Sequence, residues 1–415
     1  MLQANSRKKQ ITLIFIAWLV YTCSYIGRYA VNANVIAIQS YFSVSKTDVG
    51  LIGTYFFIAY GIGQFVNGIL CKYYNVKYVI FGALLVASTI SVIIFLDYLP
   101  FTAIKYLWFL SGASISMLWT SLIRTLSKNL DDKYISIAIV AMASTVAAGT
   151  AIAYGVSAIL SVFNAFKFSF LIGAIAMTLS GLLWFFSVSS LTKKEGAIAI
   201  EKPIVDNTKE VAIKSKMPKD IRNTLIIFIF VAVIINFVKD GINTWVPDVL
   251  KVSFSLPESL STALTIVLPI LAVFGSLLGT FLHKYIKEFS LLVGILFAIA
   301  STFLLAVVLL LKSPLWYLVL IAFGICALTM SASNNVVTSM IPFHFKDRAN
   351  SGSIAGILNG FCSLGSALSP ALLGAMFERF NSWDLVFVAV LIIALVAMTI
   401  CMTTYLVKKI KAKIV

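Results

Sequence analysis

The run ITLIFIAWLVYTCSYIGRYAVNANVIAI, residues 11–38, carries one charged side chain, Arg28, inside an otherwise apolar span. About 20 apolar residues cross the hydrocarbon core of a bilayer as a helix, so a stretch of this length reads as a transmembrane segment. A charge at its centre costs roughly 3 kcal/mol on insertion scales, and residues kept at that cost face a protein interior or an aqueous cavity.

Composition extends the same reading to the whole chain. Its 415 residues are 60% hydrophobic and 12% charged, with a mean hydropathy of +0.99, whereas soluble domains carry about 25% charged residues. Eleven further apolar runs follow, near 47–71, 76–97, 100–127, 135–161, 167–190, 221–247, 257–284, 288–311, 314–341, 348–376 and 383–407. The expected fold is an all-α polytopic membrane protein, with twelve transmembrane helices in two six-helix pseudo-symmetric halves around a central cavity. The runs are continuous rather than alternating over about ten residues, which excludes a β-barrel. Arg7, Lys8 and Lys9 ahead of the first run imitate a signal peptide. The run is too long for one and has no small-residue cleavage site, so it reads as a retained first helix. Cys23, Cys71, Cys326, Cys362 and Cys401 lie in or beside apolar runs without ligand spacing. They read as small packing residues, and no metal site, disulfide framework or cofactor is expected.

The net charge of +16 is a matter of topology. Of 32 basic residues, 24 fall at the termini and in alternate loops, eight of them between Lys193 and Arg222. Lys46, Lys105, Lys167, Lys251, Lys312 and Arg379 lie in the opposite set. By the positive-inside rule both termini and the 191–220 connection are cytoplasmic, in a cell (plasma or inner) membrane. That connection, rich in lysine and acids, divides the chain into an N-terminal half (1–190), a cytoplasmic linker (191–220) and a C-terminal half (221–415). No folded soluble domain remains to bind nucleic acid.

Two cations are left after this subtraction, Arg28 and Lys239, each in the first helix of its half and 211 residues apart. Equivalent positions in two repeats point to a site at the repeat interface near the membrane midplane, as in secondary transporters. Tyr21, Tyr25, Arg28 and Asn32 are spaced 4, 3 and 4, which places them on one helical face. Asn236, Lys239 and Asn243 do the same in the seventh segment, Tyr60, Gln64 and Asn67 in the second. Ser331, Asn334 and Thr338 mark the tenth segment, and Asn359, Ser363 and Ser366 the eleventh. Segments 3, 6, 9 and 12 carry no embedded Asn, Gln or charge and are expected outside the polar cavity. Asp240 is the one carboxylate well inside a segment. Adjacent helical residues point about 100° apart, so Asp240 is expected to serve Arg28 or another helix rather than Lys239. Two cations against one acid leave a surplus positive charge, and a small anionic metabolite is the expected ligand.

Other signals are weaker. Intramembrane Asn and Ser often serve only to bond helices together. Pro247, Pro269 and Pro370 fit kinks or helix ends, and Trp119, Tyr154 and Trp245 fit space filling better than substrate stacking. No nucleophile–base pair, phosphate loop or metal cluster is present, and His283 and His344 sit at loop ends. An enzyme is not expected.

YIGRYAVNANV (25–35), GLIGTYFFIAYGIGQFVNGIL (50–70), LWTSLIRTLSKNL (118–130), VKDGINTWVP (238–247) and AGILNGFCSLGSALSP (355–370) together resemble the major facilitator superfamily. Within it they resemble the organophosphate:phosphate antiporter family of glycerol-phosphate and hexose-phosphate carriers. The resemblance implies that Arg28 and Lys239 hold a phosphate between the halves, and it places Lys72 and Arg124 in a cytoplasmic gating region. Departures are Gln64 where the family commonly has lysine, Ser144 where the glycerol-phosphate carrier has histidine, and Lys72 where the superfamily loop has an acid. Three functions follow as expectations. The first is alternating-access exchange of an organophosphate for inorganic phosphate. The second is proton-coupled symport of a sugar acid or other carboxylate through Asp240. The third is a non-transporting sensor of the same fold. The carrier encloses its own pathway and is expected to act as a monomer in the lipid bilayer.

Overall fold

The computed structural model describes residues 2–70, 74–192, 219–345 and 351–414. Twelve helices in it are long and apolar enough to cross a membrane. They are α1 (Arg7–Phe42), α2 (Lys46–Asn67), α3 (Val76–Leu96), α4 (Phe101–Asn129), α5 (Lys133–Val162), α6 (Phe168–Leu191), α7 (Ile221–Phe254), α8 (Glu258–His283), α9 (Phe289–Leu310), α10 (Trp316–Met340), α11 (Ile354–Phe380) and α12 (Trp383–Ile410). Each corresponds to one apolar run of the sequence, with α1, α7, α11 and α12 extending furthest beyond theirs.

Packing repeats between the halves. In the first, α3 packs on α6, α2 on α4, and α1 on both α5 and α6. In the second, α9 packs on α12, α8 on α10, and α7 on both α11 and α12. Each half has its own apolar core, one from Leu13 to Val188 and the other from Ile221 to Cys401. One residue crosses over: Ala367 of α11 is buried in the first half's core. The halves meet mainly along α2 with α11 and α5 with α8, two contacts that exchange under the same pseudo-symmetry.

The face carrying both chain ends is called the terminal side, and the opposite one the far side. Far-side turns are tight: Ser43, Asp97, Asn164, Ser255 and Asn381 all take left-handed backbone angles just after a helix, the conformation that stops a helix within one residue. Glycines show how the halves part along α2 and α11. A Cβ on Gly50 would lie 2.4 Å from the Pro370 carbonyl oxygen, and one on Gly61 would lie 2.8 Å from Ser363 Cβ. At Gly356 and Gly360, nearer the terminal side, nothing lies within 4 Å. The helices touch backbone to backbone on the far side and diverge towards the terminal side. The structure is closed at the far side and open towards the chain ends.

Three helices depart from regular geometry near the bundle centre. The regular part of α1 ends at Arg28. Residues 29–31 then turn, and a 3-10 turn over Asn32–Asn34 leads into Val35–Phe42. Asn34 holds the break by donating to the Ala30 carbonyl at 2.7 Å and to Ser157 Oγ at 2.9 Å. Because regular helix ends at Arg28, the four-residue step to Asn32 does not continue the face of Tyr25 and Arg28. α8 is interrupted between Leu264 and Val267, and α10 finishes in a π turn over Val336–Met340, a feature that often accompanies functional sites.

Candidate functional site

A cavity of about 280 Å³ lies between the halves. Residues of α1, α2, α5, α7, α8, α10 and α11 line it, and none from α3, α6, α9 or α12 does. Segments without embedded polar residues therefore stand outside, as their composition requires in a bilayer.

Arg28 is 8% exposed, and its guanidinium is boxed by four rings. The carbon at its centre lies 4.5 Å from the Tyr60 ring centroid and 5.0 Å from each of Tyr25, Phe56 and Phe57. Aromatic faces attract a cation but accept no strong hydrogen bond. The side chain makes a long hydrogen bond, 3.2 Å from Nη1 to the Tyr25 hydroxyl, and its Nε is buried without a partner. Among the described residues no carboxylate pairs with Arg28. A buried cation left so is costly, and it is the strongest demand for an anion in the cavity.

Lys239 is differently placed. It donates to Asn236 Oδ1 at 2.9 Å and stands 3.8 Å from Asp240 Oδ1. This corrects the expectation that neighbouring positions keep Asp240 from Lys239. The four-carbon lysine stem swings far enough to close the angle, although the separation exceeds a hydrogen bond. Asp240 is in turn fixed by Ser366 of α11, whose hydroxyl donates to Oδ2 at 2.5 Å. Asn236 donates to Asn334 Oδ1 at 3.0 Å. A polar chain thus runs from Asn334 through Asn236, Lys239 and Asp240 to Ser366, tying α10, α7 and α11 together.

Tyr25, Arg28, Tyr60, Gln64, Asn236, Lys239, Asp240, Asn243, Asn334 and Asn359 all line this one cavity. Gln64 donates to the Tyr60 hydroxyl at 2.9 Å and so steadies the ring over Arg28. Asn359 is exposed towards the terminal mouth. Asn32 is not among the lining residues: the break in α1 turns it towards α7, where its amide donates to Thr244 Oγ1 at 2.9 Å. Arg124 lies near the terminal end of α4, away from the cavity, and Lys72 lies outside the described residues.

Sequence reasoning missed the ring box, because Phe56 and Phe57 read as ordinary apolar residues. It also missed α5 and α8, which supply Ala143, Ala147, Thr150, Ala272 and Ser276. Small residues at helical spacing carry no polar signal, but they make the room.

Charged side chains lining the cavity are Arg28, Lys239 and Asp240 alone among the described residues, a formal balance of one positive charge. Amides and hydroxyls surround it, with tyrosine rings on one wall. Such a lining suits a small, hydroxylated anion.

Between described residues, every hydrogen bond joining the two halves lies on the far side of this cavity. Lys46 pairs with Asp248 at 2.5 Å, both buried. Thr47 binds Glu378, Thr54 donates to the Ala367 carbonyl, and Tyr154 donates to the Asn243 carbonyl. By sequence position Lys46 reads as a loop charge on the side opposite the chain ends; in the structure it stands there and is also part of the closure.

The family model for the Major Facilitator Superfamily matches residues 17–352. The hexuronate transporter of Bacillus subtilis (strain 168) is 22% identical over 396 residues, covering 91% of this chain and 90% of that protein. The membrane sensor protein UhpC of Escherichia coli (strain K12) is 34% identical over 100 residues, 24% of this chain and 23% of that protein. Among solved structures, a bacterial homolog to the human lysosomal transporter Spinster, inward-facing and occupied, superposes with a TM-score of 0.74. It is 16% identical and covers 94% of this chain and 96% of that one. A point mutant of the nucleoside transporter NupG gives 0.70 at 13% identity, covering 95% and 99%.

Proposed function

Because the chain belongs to the Major Facilitator Superfamily, we propose that it carries a small hydroxylated monoanion of the sugar-acid type by alternating access between Arg28 and Lys239. The observation that carries this reading is the charge state of the cavity. Arg28 is buried without a carboxylate, while Lys239 is already partly answered by Asp240. One net positive charge matches a carboxylate better than a phosphate ester, which bears about −1.5 to −2 near neutral pH. The planar guanidinium fork suits a two-oxygen ligand. Amides of Asn243, Asn334 and Asn359 and the hydroxyl of Ser363 supply partners for sugar hydroxyls. The relative matched over most of its length, the hexuronate transporter, is consistent with this class.

Asp240 gives the proposed cycle a proton step. Protonation removes its hold on Lys239, which then turns to the substrate; loss of the proton restores the pair and loosens the anion. The carrier acts as a monomer in the cell membrane, with its termini in the cytoplasm.

A second reading is exchange of an organophosphate for phosphate, the class that the motifs around Arg28 and Lys239 resemble. Here Asp240 would be a fixed counter-charge rather than a proton carrier. Counterflow in proteoliposomes separates the two: vesicles preloaded with phosphate, or with a hexuronate under an imposed pH gradient, are offered labelled sugar phosphates and sugar acids. Sugar-acid uptake that follows the pH gradient, and stops following it in Asp240→Asn, supports the first reading. Stimulation by internal phosphate alone supports the second. Arg28→Lys removes the fork and should lower uptake efficiency about 30-fold, roughly 2 kcal/mol of charge-assisted bonding. Uptake at the wild-type rate would refute the placement of the anion at Arg28.

A further inference from the structure

Pro247 sits inside α7 without ending it. Proline has no amide hydrogen, so the carbonyl four residues earlier loses its helical donor. That carbonyl belongs to Asn243, whose side chain lines the cavity one turn beyond Lys239. A buried carbonyl without a donor is strongly disfavoured in a membrane. Here the donor comes from the other half: Tyr154 of α5 gives its hydroxyl to the Asn243 oxygen at 2.6 Å, and the tyrosine is 1% exposed. The same stretch of α7 is held to the first half at two further points, Asn32 to Thr244 and Lys46 to Asp248.

We propose that Tyr154 is a positioning residue that couples the cavity to the far-side closure by supplying the hydrogen bond Pro247 withholds from Asn243. With the far side closed, the carbonyl and the hydroxyl satisfy each other across the halves. When the far side opens, α5 and α7 separate and both groups turn to water. The bond therefore favours closure, and it does so only because residue 247 has no N–H to offer. The missing helical bond also lets the outer part of α7 bend with the first half while the Lys239 turn stays with the second. This inference holds for any substrate identity.

Maleimide labelling of the purified carrier tests it. The native cysteines are replaced and one reporter thiol is introduced by Ala367→Cys, a position 1% exposed and packed in the first half's core. Tyr154→Phe keeps the ring and removes the donor, and should raise the labelling rate on the order of ten-fold, the usual effect of stranding a buried acceptor. Pro247→Ala restores an N–H to the Asn243 carbonyl. In that background Tyr154→Phe should change the rate less than two-fold. A wild-type rate in Tyr154→Phe, or a ten-fold rise that persists with Pro247→Ala, overturns the proposal. If Tyr154→Phe alone does not fold, recovery of folded protein by adding Pro247→Ala supports the proposal. Failure of both variants to fold makes Tyr154 a packing residue and overturns it.

Discussion

Replacing Lys46 with methionine should open the far side. In the closed structure the Lys46 ammonium meets Asp248 Oδ2 at 2.5 Å, with side chains 8% and 4% exposed. Trp383 donates its indole N–H to the same oxygen at 3.0 Å, and the Phe377 ring faces the ammonium at 4.6 Å. Methionine fills much of the lysine volume but leaves a buried carboxylate with one neutral donor. Breaking a buried pair in this way costs about 3–5 kcal/mol, and the molecule escapes that cost by separating the halves and hydrating Asp248. The closed-to-open ratio should fall by roughly 100- to 3000-fold, at 1.4 kcal/mol per factor of ten. Adding Asp248→Asn removes the stranded charge and keeps an oxygen for Trp383, so the double variant should lie closer to wild type than Lys46→Met alone. Spin labels at Tyr98 and Lys312, 85% and 78% exposed on far-side turns of opposite halves, report the separation by double electron–electron resonance. A wild-type distance distribution in Lys46→Met, or a double variant as open as the single one, would refute the reasoning.

Gly50 of α2 and Gly356 of α11 should behave oppositely, because only Gly50 is packed against the other half. Gly50→Ala places a Cβ 2.4 Å from the Pro370 carbonyl oxygen, a backbone atom that cannot move aside, and should widen the same spin-label distance. Gly356→Ala meets nothing within 4 Å and should leave the distance unchanged, with Tm equal or slightly raised by better helix propensity. At the far-side surface, burial raises the Asp97 carboxyl, but hydrogen bonds from Lys167 and Tyr41 outweigh it and hold the group below its usual range. Burial likewise lowers Lys167, and the bonds to Asp97 and Tyr41 raise it overall. The carboxyl's contribution is present above the unfolded Asp value near about 3.9 and fades as pH falls through the lower folded one. The ammonium's is present below the unfolded Lys value of about 10.4 and fades as pH rises through the higher folded one. Asp97→Asn should therefore lower stability by less than ~1 kcal/mol between about pH 5 and 9, since both groups are partly exposed, and should flatten both limbs of a Tm-against-pH curve.

Much of the bundle was legible because lipid leaves so few choices. Apolar runs of sufficient length marked twelve helices, and embedded Asn and Gln marked which of them turn inward. Most of the polar faces of α2, α7, α10 and α11 meet at one cavity, but Asn67 turns to Ser116 of α4 and Thr338 to the Asn334 carbonyl, so neither lines it. What failed depended on local breaks or on side-chain reach. Asn32 left the Arg28 face because regular α1 ends at Arg28. Asp240 approached Lys239 because a flexible stem ignores the angle between backbone positions. The far-side closure was hidden because Lys46 and Asp248 sit at segment ends, where a charge needs no special explanation. Pro247 was the one visible clue, since its missing N–H marks Asn243 as a carbonyl in need of a donor; which residue supplies it required the fold.

The ring box around Arg28 has a consequence for how the protein is made. Tyr25 belongs to the same helix as Arg28, and Phe56, Phe57 and Tyr60 belong to α2, the next helix to leave the ribosome. The embedded guanidinium thus finds its shelter within the first hairpin, before any of the second half has been synthesised. Lys239 and Asp240 meet within a single helix, so the second half's embedded cation also has a counter-charge of its own. Neither half needs the other to place its charges in the bilayer, and the chain can be threaded into the membrane in order, with assembly of the transport path left as the last step.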